Sequence, residues 1–276
     1  MKIEQQVASH YRHGELIEAI KAGLLELGLS PDTVTIHDLG PVDEFHIGGR
    51  IASTHFLDQL SLRADMHILD VGCGLGGGAR FTAATYDAHV TGIDLTPEYV
   101  ETGQELCDWV GLADRVTLQQ GSALSMPFSD NTFDGAYMMH VGMNIEAKGD
   151  LFAEVRRTLA PNAKFGIYDI MRTGDGDLTY PVPWAASGDT SWLAEQSEYE
   201  QALDEAGFDI VNTTSRRHFA LEFFRGTKEA NEARGGLPPL GLHTLMKNTT
   251  AEKVGNMVAN IANGMIAPIE LIAVKR

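Results

Sequence analysis

The chain is poor in positive charge. It carries 21 Lys and Arg residues against 38 Asp and Glu, a formal net charge of -17 over 276 residues. No basic cluster offsets this balance, so phosphate backbones and anionic bilayers are repelled, and neither nucleic acid nor a membrane is an expected partner. Cysteine is scarce as well. Cys73 and Cys107 are the only two, which excludes a disulfide framework and leaves no zinc-ligand spacing. No stretch approaches the ~18 apolar residues of a spanning helix. The opening MKIEQQVASHYRHGE has no apolar run of the secretory kind. A reducing cytoplasm is the expected location. Internal repeats and low-complexity segments are also missing. Hydrophobic residues nevertheless make up 43% of the chain, an ordinary globular share.

What the chain does have is order along its length. Leu16, Ile17, Ile20, Leu24 and Leu27 fall at helical spacing and predict one helix over residues 3–28, stopped by Gly28. Residues 30–49 read as irregular and 50–60 as a second helix. From residue 66 strands and helices alternate. Strands are expected at 67–71, 89–94, 115–119, 133–139 and 164–170, then at 208–217 and 266–275, the last with one wetter face. Such alternation implies right-handed βαβ units and a parallel sheet. The division expected is a helical cap over 1–61 and an α/β domain over 62–276, with a helical insertion at 219–263. That insertion is long enough to act as a lid or to pair two subunits in a homodimer.

The chemistry concentrates in Ile68-Leu69-Asp70-Val71-Gly72-Cys73-Gly74-Leu75-Gly76-Gly77-Gly78. A buried strand runs into a glycine-rich turn at a helix N-terminus, where the backbone turns sharply and a ligand approaches closely. Asp94 ends the next strand, where a carboxylate accepts both hydroxyls of a ribose. Gly72, Gly74 and Gly77 also satisfy the dinucleotide pattern G-x-G-x-x-G. Asp70 argues against that reading, because its carboxylate would repel a pyrophosphate but not an amino group.

ILDVGCGLGGGAR, VTGIDLTPEYV, GSALSMPFSDNTFDGAYMMHV and LAPNAKFGIYD together resemble the class I S-adenosylmethionine (SAM)-dependent methyltransferases. The resemblance implies a Rossmann-like α/β fold: a seven-stranded, mostly parallel sheet whose last strand is antiparallel, with helices on both faces. It implies SAM as cofactor, S-adenosyl-L-homocysteine as product and a small-molecule acceptor. By the same resemblance Gly72, Gly74 and Gly76 line the methionine part, Asp70 lies near its amino group, Asp94 binds the ribose and Leu95 packs on the adenine. Ser122 and Ala123 follow the third strand, where the family commonly has an acid. VDEFHIGGRIAST is similar to a segment of the sarcosine/dimethylglycine and phosphoethanolamine methyltransferases that closes over SAM, which adds Ile47, Gly48 and Gly49. Transfer to nitrogen is slightly favoured over oxygen or carbon. A nicotinamide-dependent oxidoreductase and an inactive SAM-binding module are the competing readings.

His140, after the fourth strand, is the leading candidate for a catalytic or cofactor-touching group. Its alternative is a histidine satisfied by backbone in a buried turn. Tyr11, His46, Asp169 and Trp184 are candidate acceptor-side residues, Asp169 equally well as a cap for the turn that follows it. Tyr180, Trp184 and Trp192 either box a methylammonium group or pack a loop on the sheet. His10 and His13 are three apart on a helix but lack a third ligand, so no metal is assigned. Ser9, Ser53 and Ser125 lack the strand–turn–helix context of a hydrolase nucleophile.

Overall fold

The computed structural model describes residues 2–276, with side chains from residue 3. The helices are α1 (Lys2–Tyr11), α2 (Leu16–Glu26), α3 (Ile36–Asp43), α4 (Gly49–Asp58), α5 (Gly77–Tyr86), α6 (Pro97–Trp109), α7 (Lys148–Thr158), α8 (Gln196–Ala206), α9 (Arg217–Arg234), α10 (Leu242–Met246) and α11 (Thr250–Ala262). The strands are β1 (His67–Val71), β2 (His89–Asp94), β3 (Val116–Gln120), β4 (Phe133–Met139), β5 (Leu159–Arg172), β6 (Phe208–Ser215) and β7 (Ile266–Lys275).

They form one seven-stranded sheet in the order β3-β2-β1-β4-β5-β7-β6. Only β7 runs against its neighbours: it is antiparallel to both β5 and β6, and the remaining pairs are parallel. This is the Rossmann-like architecture the motifs implied. The strand order reverses at β1, whose neighbours are β2 and β4, so the crevice for a ligand lies beyond the C-terminal ends of these three strands. Apolar residues of α7 and α8 (Leu151, Phe152, Val155, Tyr199, Leu203) cover one face. Those of α4 and α5 (Phe56, Leu57, Ala79, Phe81) cover the other.

Several expectations are corrected. The helix expected over 3–28 is two helices. The chain breaks at Gly14, where φ is 93°, and the Glu98 carboxylate of α6 accepts the backbone N–H groups of His13, Gly14 and Leu16 at 2.7, 2.6 and 3.2 Å. A cap supplied from another element leaves no local signal. The stretch expected to be irregular contains α3, started by a capping box in which Thr35 and Asp38 bond each other's backbone. Strand β5 runs longer at both ends than residues 164–170. Strand β7 has no wet face: all but Val274 of its residues are buried, because Ala267, Ile269, Leu271 and Ala273 enter the core on one face of the sheet and Ile272 the core on the other.

The first three helices do not stand apart from the rest. Leu16, Ile20 and Leu24 of α2 and Leu39 of α3 share a core with Leu75, with Tyr99 and Leu106 of α6, and with Leu240 and Leu245 around α10. Cap, glycine turn and insertion thus meet in one apolar cluster above the sheet.

Candidate active site

A cavity of about 1660 Å³ opens at the strand ends. Among the residues singled out from sequence, Tyr11, His46, Ile47, Gly49, Asp70, Gly72, Gly74, Asp94, Leu95, Ser122, Ala123, His140 and Trp184 line it. Gly48, Gly76 and Asp169 are not on its wall. A Cβ on Gly48 would meet the Phe219 ring at 2.4 Å, and one on Gly76 would meet Leu118 at 2.7 Å. Those two glycines serve close packing. Asp169 lies inside β5, not at its end, and is fully buried. Its carboxylate accepts from the Tyr199 hydroxyl at 2.8 Å and sits beneath Gly142, so it supports the turn that follows His140.

The glycine turn is shaped for a ligand's backbone-close approach. Gly72 and Gly74 have φ of 71° and 54°, the left-handed region that side chains resist. A Cβ on Gly72 would strike Val141 at 2.5 Å, whereas beside Gly74 the nearest atom, on Tyr99, is 3.9 Å away. Asp94 is fixed by two backbone donors, Gly74 N–H on Oδ2 at 2.9 Å and Thr96 N–H on Oδ1 at 2.8 Å. Each carboxylate oxygen keeps acceptor capacity toward the cavity. Burial raises its carboxyl, and those two donors oppose the rise. Asp70 is buried deeper. Its carboxyl is pushed up to about 7, chiefly by burial, against the bond it accepts from the Tyr137 hydroxyl at 3.1 Å.

His140 has φ of 56°, a strained value for a residue with a Cβ, held by its N–H donating to Tyr168 O at 2.7 Å. Both ring nitrogens are buried without a partner among the described residues. Burial, then the neighbouring His46, holds its imidazolium well below the usual range, so the ring is neutral. A buried polar pair with no protein partner, on a cavity wall, is a place for ligand atoms.

His46 stacks on His140 with ring centroids 6.0 Å apart and planes 7° off parallel. Its Nε2 is 2.7 Å from Glu44 Oε2. Ser53 donates to the same oxygen at 2.6 Å, and Arg50 Nε lies 2.6 Å from Oε1. Burial pushes the Glu44 carboxyl up, but its contacts with His46, Arg50 and Ser53 prevail and hold it below the ordinary range. Sequence reading missed Glu44 and Arg50 and weighed Ser53 only as a hydrolase nucleophile. The one local signal was Glu44 two residues before His46, in the segment already noted.

Of the three aromatics considered as a cation box, only Trp184 reaches the cavity, with its Nε1 donating to Ser191 at 2.9 Å. His10 does not pair with His13; its Nε2 lies 3.1 Å from Pro183 O. Among the described residues no helix is long and apolar enough to cross a membrane.

Residues 68–162 match the family described as a methyltransferase domain. The chain is 35% identical over 123 residues to the sterol 4-C-methyltransferase of Caenorhabditis elegans, covering 45% of this chain and 36% of that protein. It is 32% identical over 189 residues to phosphoethanolamine N-methyltransferase 1 of Triticum aestivum, covering 67% of this chain and 37% of that protein. The matches thus span less than half the length of these relatives. Phosphoethanolamine N-methyltransferase 2 of Haemonchus contortus, solved with phosphomonomethylethanolamine and S-adenosylhomocysteine, has the same fold. Its TM-score is 0.71 at 23% identity, over 84% of this chain and 54% of that one.

Proposed function

Because the chain carries a methyltransferase domain on the fold of the class I SAM-dependent methyltransferases, we propose that it moves a methyl group from SAM to a small-molecule acceptor. The observation that carries this is Asp94: a carboxylate pinned by Gly74 and Thr96, at a cavity edge beside an open glycine turn.

The residues present fit the cofactor. Asp94 would accept the ribose hydroxyls, Leu95 and Ala123 would flank the base, and Gly74, with open space beside it, would let the methionine part lie against backbone, while Gly72 packs its turn on Val141. Asp70 would face the amino group, and the unpartnered His140 nitrogens would meet polar atoms of cofactor or acceptor. SAM supplies an electrophilic methyl carbon on a sulfonium. The protein's part is to align the acceptor with that carbon and exclude water.

The cavity bears on the acceptor. Pockets for one small ligand run to about 300–1,000 Å³, and this one is larger. Leu221, Phe223 and Phe224 of α9 line it beside Arg225, Lys228 and Glu232, with Leu237 and Leu240 beyond the helix. That lining suits a bulky, mostly apolar acceptor. The Glu44–His46 pair adds a group able to take a proton: with Nε2–H donated to Glu44, Nδ1 of His46 is the basic nitrogen. The Glu44 charge is opposed by Arg50, and its Oε2 is taken by His46 and Ser53. These features favour an acceptor that sheds an O–H or C–H proton over the amine slightly preferred from sequence.

Calorimetric titration with S-adenosylhomocysteine, and separately with NAD(H) and NADP(H), tests the proposal. Micromolar S-adenosylhomocysteine affinity, abolished in Asp94→Ala, is the expected result. Nicotinamide binding without S-adenosylhomocysteine binding would sink it.

A further inference from the structure

The strand ends of β2 and β3 enclose a recess. Asp94 pairs in register with Gln120, and Gly121 N–H donates to Asp94 O at 2.9 Å. Leu95 and the 121–123 turn are therefore two sides of one space. Leu95 and Ala123 offer apolar faces to a flat ring, but a base also has a polar edge that needs partners. The side chains of the turn have little to give: the Ser122 hydroxyl accepts from Leu124 N–H at 3.1 Å and donates to Glu4 Oε1. The acidic group of the recess thus comes from α1, 118 residues away in sequence.

Helix α1 is laid along the cavity. Ile3, Glu4, Val7 and Tyr11 all line it, the spacing of one helix face. Glu4 meets Ser122 at one end. At the other, Asn144 Nδ2 donates to the Tyr11 hydroxyl at 3.1 Å, and the backbone rise puts these anchors about 10 Å apart. The helix thus bridges the β3 end and the turn after β4.

We propose that α1 is a lid that completes the cofactor site, and that Glu4 reads the base by accepting a hydrogen bond from the exocyclic amino group of adenine. This rests on the SAM reading above. A carboxylate is acceptor-only, so it suits an amino group and gains nothing from a bare purine C–H. Ser122 is a positioning residue here, holding the Glu4 carboxylate toward the recess.

The test compares S-adenosylhomocysteine with its 6-deamino analogue, which carries purine in place of adenine, by calorimetry on the full chain. One hydrogen bond to a charged group makes wild type prefer the adenine compound by about tenfold or more. In Glu4→Ala the ratio falls to about one, by loss of affinity for S-adenosylhomocysteine alone; in Glu4→Gln, which keeps an amide oxygen, it is intermediate. Melting curves confirm that each variant is folded. A ratio near one in wild type overturns the proposal. So does a ratio preserved in Glu4→Ala, including the case where both ligands weaken equally and α1 only covers the site. Absence of S-adenosylhomocysteine binding by wild type would instead bring down the cofactor reading.

Discussion

Asp70 and Asp94 lie at the C-terminal ends of neighbouring strands, Asp70 buried and Asp94 half-buried, and their partners differ. Asp94 accepts the backbone N–H groups of Gly74 and Thr96, whereas Asp70 accepts the Tyr137 phenol and the Ala79 backbone N–H. The Asp70 carboxyl, raised by burial to about 7, is protonated in the folded chain over a range where the unfolded chain has released that proton. Its contribution to stability is therefore fully present below about pH 4 and is lost as pH rises through 7. An ammonium beside it favours the charged form. S-adenosylhomocysteine should accordingly bind more tightly as pH rises from 5.5 to 7.5, releasing a proton that calorimetry in two buffers of different ionisation heat detects. Asp70→Asn should flatten both effects; a slope unchanged in that variant would remove Asp70 from the amino-group site. Asp70, Gly72, Gly74 and Asp94 were legible because strand, turn and acid lie within one βαβ unit. Glu4 and Glu44 were not, because their surroundings are assembled from distant segments.

Among the elements, α3 and α5 show how far a local pattern misleads. Gly77, the third glycine of the dinucleotide pattern, does not line the cavity. A Cβ there would lie 2.3 Å from the backbone oxygen of Asp43 in α3. Three residues on, Arg80 is fully buried and forks onto the Asp43 carboxylate at 2.5 and 3.3 Å, with Leu75 O at 2.7 Å. These contacts clamp the cap onto the glycine turn. Gly77→Ala should cost about 1–3 kcal/mol, since backbone must give way, and urea unfolding would measure it. A loss under half that size would mean α3 yields freely. The α3 helix escaped notice because Gly40 and Pro41 sit in it, although Thr35 and Asp38 carried the capping signature. The strands were easier: β1, β2, β4 and β7 fall on their expected bounds, β1 and β4 because buried strands leave nearly continuous apolar runs.

Taken whole, the molecule places an apolar chamber over a polar cofactor crevice, with the Glu44–His46 pair between α3 and α4. A radiolabelled methyl screen should find bulky apolar phenols or enols turned over ahead of sarcosine-sized amines. With such an acceptor, His46→Gln should keep S-adenosylhomocysteine affinity and lose about 10²–10⁴-fold in kcat, the range for a general base. Turnover of a small amine, indifferent to that substitution, would return the chemistry to nitrogen. The chamber was beyond sequence reading because its apolar wall comes from α9 and the turns after it, whose residues read only as a helical insertion.

The strand order carries a consequence in time. Strand β6 hydrogen-bonds only to β7 within the sheet, and β7 fills the gap between β6 and β5. A ribosome delivers β6 some fifty residues before β7, so during synthesis β6 waits with both edges bare while β5 lacks its outer neighbour. The open slot has the width of one strand. Until β7 threads into it, any other extended segment of suitable apolar character competes for the place. The growing chain is thus most exposed to mispairing while α9 to α11 are being made, and those helices stand between β6 and its partner in sequence as well as over the cavity in space.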